Sequence, residues 1–255
     1  MSEHTERDAA RKSVAVAWVR EIVFVVVGAL VASTLIRVFL LQMFEIPSGS
    51  MENTLTVGDR VAVQKITSWS RGDIVVFRDD YQWMGEPPAD PGPLARAVIF
   101  IGFAPDTTSN YLIKRVIGVE GDEVACCDAS GQVTVNGVAL DEDSYLYTDP
   151  ATGIRANPSD VRFDVVVPKG HIFVMGDHRN SSQDSRSHLD DPVPAGVPEH
   201  MYGFVPVSSV QGSAIALVFP FNRFTTFSRP EAYSRIPDAK WVPEQPIIKQ
   251  LPSGK

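Results

Sequence analysis

The chain changes character twice along its length. Met1 to Arg20 is polar and charged, Ile22 to Leu41 (IVFVVVGALVASTLIRVFLL) is a 20-residue apolar run with one charge, Arg37, and from Gln42 onward short apolar stretches alternate with turn residues. A run of that length spans the hydrocarbon core of a bilayer as a helix, and Arg37 lies close enough to its far end to snorkel to the headgroups. A cleavable signal peptide is the competing reading, but Gln42-Met43-Phe44-Glu45-Ile46 offers no small-x-small cleavage site. Arg7, Arg11, Lys12 and Arg20 precede the run, and no Lys or Arg occurs from Gln42 to Asp59. The positive-inside bias therefore predicts a single-pass protein of the cell membrane, with residues 1–21 as a cytoplasmic tail, 22–41 as the span and everything after Leu41 extracytoplasmic.

Beyond the span, β-type runs are read at Asp59 to Ile66, Asp73 to Phe77, Leu112 to Val119, Glu123 to Ala125, Val133 to Val135, Phe163 to Val167, Ile172 to Met175 and Ser213 to Val218. Asn136-Gly137 and Lys169-Gly170 are hairpin-type dipeptides, so the expected fold is mostly β, an antiparallel sheet domain over 42–220. Asp79 to Asn110, with Pro87-Pro88, Pro91-Gly92-Pro93 and Pro105, reads as an insertion over the surface, and the polar stretch 140–160 as a second one. Residues 221–255 read as a tail packed along the surface or partly loose. There are no internal repeats.

The 255 residues suffice for one domain or two small ones with a sizeable core, and 44% apolar with 21% charged residues is ordinary globular composition. A formal net charge of −8 argues against nucleic acid as a partner, because phosphate binding needs a basic surface. Cys126 and Cys127 are the only cysteines, and bonding sequence neighbours strains the backbone. Two half-buried thiols on a strand are the first expectation; an oxidised vicinal pair or an intermolecular bond is the alternative in an exported domain.

Candidate chemistry centres on Ser50 and Lys114. Ser50 lies in Phe44-Glu45-Ile46-Pro47-Ser48-Gly49-Ser50-Met51, just past the apolar run; nine positions separate it from Leu41, a reach of at most roughly 30 Å. Alone it could be a serine-rich turn. Lys114 lies in Tyr111-Leu112-Ile113-Lys114-Arg115-Val116-Ile117, where by period two its own face carries Leu112 and Val116 and the other carries Ile113 and Ile117. A serine hydroxyl is a poor nucleophile until a base takes its proton, and lysine serves only if burial keeps its amine neutral. Lowering its pKa from about 10.4 to about 8 raises the free energy of the charged form by roughly 3 kcal/mol, which burial can supply. Lys65, the nearest rival base, has no comparably apolar neighbours on its C-terminal side. Ile46, Pro47, Met51 and Ile113, with Phe44 and Leu55, are the candidate walls of a shallow apolar pocket. The polar block Gly176 to Arg186 follows an apolar strand and can supply a hydroxyl that orients the lysine.

In these blocks the chain resembles bacterial type I signal peptidases, membrane-anchored serine proteases that remove signal peptides from exported proteins. The resemblance runs in order through Ile46 to Met51, Arg71 to Phe77, Tyr111 to Gly118, Gly176-Asp177 through Asp184-Ser185-Arg186, and Gly203 to Pro206. It implies Ser50 as nucleophile, Lys114 as general base and then general acid, and Ser182 as the hydroxyl that positions the amine. It further implies an oxyanion hole from Ser48 and the Ser50 N–H, and Asp184 with Arg186 as a structural ion pair. The expected partners are signal peptides of preproteins, cut after small-x-small motifs, and the lipid bilayer; the enzyme is expected to act as a monomer with no metal or other cofactor. His178 and Asn180 depart from the Asn and Asp common in that family's block, which predicts local rearrangement without loss of chemistry.

Rival enzymes fare poorly on the residues. His171, His178, His188 and His200 could serve a Ser-His-Asp hydrolase, but no G-x-S-x-G elbow exists; S-x-x-K and H-E-x-x-H are also absent. The rival from another class is a membrane-anchored β-rich binding module in which Ser50 and Lys114 are bystanders.

Overall fold

The computed structural model describes residues 18–35, 40–85, 89–101 and 110–251. Most of the amino-terminal tail, the end of the expected span, parts of the 79–110 insertion and the last four residues lie outside the described residues. Two compact units are distinguished, residues 1–41 with 91–105, and 42–90 with 106–255.

In the first unit, α1 (Trp18–Leu35) has 18 residues, a mean hydropathy of 1.8 and no buried residue. At 1.5 Å per residue it is about 27 Å long, close to the thickness of a bilayer core. It starts earlier than the span read from sequence, at Trp18 instead of Ile22, and Leu41 is not its end, because β1 (Leu41–Glu45) already opens there. The apolar run thus serves a helix and then the start of an edge strand. The unit also holds α2 (Pro93–Ile101), a helix inside the expected surface insertion, with Pro93 at the first helical position, where a missing N–H is harmless.

The second unit is antiparallel β, as the pattern predicted. Its larger sheet joins β1 to β2 (Arg60–Gln64), β11 (Val210–Phe219), β3 (Ile74–Arg78), β4 (Tyr111–Gly118), β9 (His171–Met175) and β10 (Val205–Pro206) in that order, with β12 (Thr225–Thr226) off β11. The smaller sheet runs β13 (Ile247–Gln250), β8 (Phe163–Val166), β5 (Glu123–Cys126), β6 (Val133–Val135) and β7 (Val138–Ala139). Asn136-Gly137 makes the expected β6–β7 hairpin, both residues taking positive φ, 52° and 77°. Lys169-Gly170 is not a hairpin turn, because it carries the chain from β8 in one sheet to β9 in the other.

The core is continuous between the sheets: Ile117, Phe173 and Met175 of the larger pack with Val124, Val133, Val135, Phe163 and Val165 of the smaller. At roughly 1.5–3 kcal/mol for each large apolar side chain buried, this interface is a main source of stability. Two sequence readings are corrected by it. The 140–160 stretch is no simple surface insertion, since Leu140, Tyr145 and Leu146 are buried and Glu142 goes inside with an arginine partner, Arg179. The 221–255 segment is not a loose tail: Tyr233 and Ile236 enter the core, and β13 pairs with β8. Trp83, in the first insertion, is buried and donates from Nε1 to the Tyr202 carbonyl. Cys126 and Cys127 are joined to each other as a vicinal disulfide, the alternative of the two expectations.

Buried ion pairs fasten the loops to this frame. Arg115 on β4 donates from Nε and Nη2 to the Asp177 carboxylate at 2.8 and 2.6 Å, and Thr54 Oγ1 donates to the same carboxylate at 2.6 Å. Asp177 has no solvent exposure. Removing one member of such a pair leaves the other charge buried and unpaired, so Asp177→Ala is expected to cost about 3–5 kcal/mol of stability. Urea unfolding of the full chain in detergent measures it; an unmoved midpoint would show that the Arg115–Asp177–Thr54 contact is dispensable.

Candidate active site

Ser50 sits on a short 3-10 turn, Gly49–Met51, that leaves β1 through Ile46-Pro47-Ser48. Apolar side chains pin the turn from both ends: Ile46, Met51 and Leu55 keep 1% or less of their surface exposed and pack with Val61, Val63, Ile74, Val76, Ile113, Ala214 and Leu217. Backbone bonds tighten it, Ile46 N–H to the Asp59 carbonyl at 2.8 Å and Leu55 N–H to the Met51 carbonyl at 2.7 Å. The serine is thereby held at 7% exposure.

Lys114 lies in the middle of β4, where every residue from Leu112 to Gly118 is buried. It pairs with Val75 of β3, and its neighbour Arg115 pairs with Met175, the last residue of β9. The chain leaving β9 at Gly176 consequently passes beside Lys114. Lys114 Nζ is 2.6 Å from Ser50 Oγ, in hydrogen-bond contact. Burial pushes the lysine pKa from its ordinary 10.5 down to about 8; the Asp184 and Asp177 carboxylates oppose the shift and the Arg186 guanidinium assists it. The 2.5-unit fall amounts to about 3 kcal/mol against the ammonium form.

The other expected residues are arranged unevenly around this pair. Ser48 Oγ lies 3.4 Å from Ser50 Oγ. Ser182 Oγ is buried without a hydrogen-bond partner among the described residues, so the contact expected between it and the lysine amine is not made. Asp184 accepts from Arg186 Nε and Nη2 at 2.9 and 2.8 Å and from the Gly176 N–H at 3.0 Å. Burial opposes its ionisation, but the arginine and this N–H more than offset that, and the carboxyl titrates below its ordinary range. Of the candidate pocket residues, Pro47 is exposed and Phe44 half-buried, the latter edge-on to Tyr111 at 5.1 Å. Met51 and Leu55 are wholly enclosed: they support the site from beneath and present no wall to a substrate.

Several participants were not picked out from sequence. A Cβ on Gly176 would fall 2.4 Å from both the Ser50 carbonyl oxygen and Ser182 Oγ, so only glycine permits the approach. His178 N–H donates to the Ser50 carbonyl at 3.1 Å, while its Nδ1 lies 2.9 Å from Glu52 Oε2 and its ring stacks on Tyr147 with centroids 3.8 Å apart. The residue that departs from the resembled pattern therefore braces the nucleophile turn. Arg179, beside it, donates to Glu142, and both are buried. An Asp and two Arg next to residues already singled out were the available signal; their partners, far away in sequence, were not. Among the described residues no cluster of three or more His, Cys, Asp or Glu is placed to hold a metal ion.

The arrangement sets a serine hydroxyl against a desolvated amine, beside a loop stiffened with ion pairs. Comparison with known proteins gives the family. Residues 17–219 match the family described as signal peptidase, peptidase S26. The chain is 38% identical over 231 residues to signal peptidase I of Mycobacterium tuberculosis, which covers 80% of this chain and 74% of the relative. It is 37% identical over 213 residues to a probable signal peptidase I of Mycobacterium leprae, covering 73% and 71%, and 33% identical over 201 residues to a probable signal peptidase I-2 of Synechocystis, covering 77% and 72%. With a desolvated Ser50–Lys114 contact at its centre and these relatives along most of its length, the chain belongs to the signal peptidase I family of serine endopeptidases, peptidase S26.

Proposed function

We propose that this protein is a membrane-anchored signal peptidase that cuts signal peptides from exported preproteins through a Ser50–Lys114 dyad, acting as a monomer. The observation that carries the reading is the 2.6 Å contact between Lys114 Nζ and Ser50 Oγ in a setting that lowers the lysine pKa to about 8. The neutral amine takes the Ser50 proton as Oγ attacks the scissile carbonyl; the ammonium so formed returns a proton to the leaving amine, and water, activated by the same lysine, releases the acyl group. The Ser48 hydroxyl and the Ser50 N–H donate to the developing oxyanion. Ser182 steadies the amine once substrate closes over the site, and the Asp184–Arg186 pair holds its loop.

Specificity for small-x-small sites belongs to the same reading: Pro47 is exposed and Phe44 half-buried beside the Ser50 turn, and a shallow apolar surface there would accept an alanine-sized side chain more readily than a bulky one. The anchor is α1, with the amino terminus in the cytoplasm and the β domain outside. A second contact with lipid comes from Phe219, Phe221 and Phe224, which are 43%, 82% and 62% exposed. Arg223 Nη1, bonded to Asp59 at 2.8 Å, ties their loop to the turn that carries exposed Val57. Such a patch is costly in water and favourable at a bilayer surface.

Cleavage of a purified precursor by the full chain tests the dyad. Ser50→Ala is expected to abolish processing, and Lys114→Arg to lower it by at least about a thousandfold, because guanidinium does not give up its proton. A precursor with a large residue at the cleavage position is expected to stay uncut. Near-normal turnover by Lys114→Arg would overturn the mechanism.

The pH profile follows from the sign of the lysine shift. Only the neutral amine is a base, so activity is expected to climb about tenfold per pH unit below about 8 and to level off above it. A limb centred near 6.5 and removed by His178→Ala would point to a histidine base instead.

Orientation is tested on sealed vesicles. External protease is expected to digest the β domain in vesicles whose periplasmic or outer face is outward and to spare it in inverted ones; the reverse pattern would refute the proposed topology.

A further inference from the structure

A cleft of about 750 Å³ opens between the 188–202 loop and the last strand, away from the dyad. One wall is β13 and its flanks: Pro246, Ile248, Lys249 and Leu251 all line it. Ile248 packs against the core between the sheets while Lys249 turns to Glu123 and Asp164, so what the two successive residues share with the cleft is the edge of β13 itself. That edge is open: β8 pairs with one side of β13, and among the described residues no strand occupies the other. An open edge offers a row of N–H and C=O groups for one further strand.

The opposite wall is mainly acidic. Asp190, Asp191 and Glu199 line it with His200, whose Nε2 is 3.6 Å from Glu199 Oε1, while the one Lys of the cleft, Lys249, is engaged by Glu123 at 2.6 Å and Asp164 at 3.7 Å. His188 also lines the cleft, with its side chain 6% exposed. Its Nδ1 is 3.0 Å from Asp191 Oδ2, its ring stacks on Trp83 at 4.6 Å and meets Tyr202 edge-on, and its buried Nε2 has no partner among the described residues. With Asp191 accepting from Nδ1–H, Nε2 is left as a hydrogen-bond acceptor. An acceptor-rich, acidic wall faces apolar ground at Leu189, Val193 and Leu251.

We propose that this cleft binds an extended, basic peptide segment of a second polypeptide, laid antiparallel or parallel along the edge of β13, with an arginine or lysine side chain directed at the Asp190, Asp191, Glu199 and His188 wall. Main-chain bonds to β13 supply affinity that does not depend on sequence. The carboxylates select for a cationic donor, and the stem of a long basic side chain covers the apolar ground. The site is distinct from the dyad and does not depend on how the dyad works.

The test uses the full chain in detergent as Ser50→Ala, so that no probe is cut, and fluorescence anisotropy of a labelled heptapeptide of alternating arginine and valine. Saturable binding is expected, unaffected by excess signal peptide. It should weaken at least about tenfold when the arginines are replaced by glutamates or alternate amides are N-methylated, the latter blocking strand addition. Asp190→Asn combined with Glu199→Gln, both on the surface, should weaken it similarly, and in an otherwise wild-type chain should leave precursor cleavage unchanged. No saturable binding, equal binding of arginine and glutamate peptides, displacement by signal peptide, or indifference to the carboxylate variant would overturn the proposal.

Discussion

A lysine enclosed without a carboxylate hydrogen-bonded to it is the constraint on which the rest of this structure turns. Lys114 keeps 2% of its surface exposed, and its hydrogen-bond contact is with a serine hydroxyl. The other buried acids and arginines are treated differently. Asp59 has Arg223, Asp122 has Arg71, Arg115 has Asp177, Glu142 has Arg179 and Asp184 has Arg186, each within 3 Å. Each of those buried charges has a partner, and breaking such a pair by removing one member would leave the other charge buried and uncompensated. Burial disfavours the charged form of Lys114, and Asp184 and Asp177 only partly oppose that shift. A carboxylate placed directly on Nζ would favour the ammonium form.

The same pairs decide where the nucleophile goes. A single loop, leaving β9 at Gly176, touches the Ser50 turn and its continuation to Thr54 repeatedly: through the close approach of Gly176, through His178 N–H on the Ser50 carbonyl, through His178 Nδ1 against Glu52, and through Asp177 on Thr54. That loop is in turn fixed to β4 by Arg115, to its own base by Asp184 and Arg186, and to the 140–160 segment by Arg179 on Glu142. Ser50 on its 3-10 turn and Lys114 on β4 lie far apart in the chain, and the loop fixed to both sets the distance between them. Tenths of an ångström matter for proton transfer, and a loop held by several charge-assisted bonds has little freedom to drift.

Much of this was legible in the sequence because its cause is local. Eight apolar runs marked eight central strands, and the largely apolar faces around Lys114 marked its burial before any contact was known. What was not legible depends on partners far away. β13 is a four-residue edge strand whose only reason to form is β8, and its sequence, Ile-Ile-Lys-Gln, carries no alternation strong enough to announce it. Glu142 looks like a surface residue until Arg179 is brought beside it, and the apolar span could not reveal that Leu41 belongs to a strand. Met51 and Leu55 were rightly read as apolar neighbours of the nucleophile, but adjacency in sequence does not say which side of a residue faces a substrate.

His178 shows how the site tolerates change. Its main-chain N–H makes the bond to Ser50 that any residue but proline could make, so the identity of the side chain is free to vary as long as the ring finds room. Here the room is made by Tyr147, which stacks on it, and by Glu52, which lies against Nδ1. Both accommodating residues lie outside the block in which the departure occurs, one on the nucleophile turn and one on the 140–160 segment. The element that aligns the dyad is thus set by backbone geometry and ion pairs, and its side chains at the surface of the cleft can be exchanged without moving Ser50 relative to Lys114.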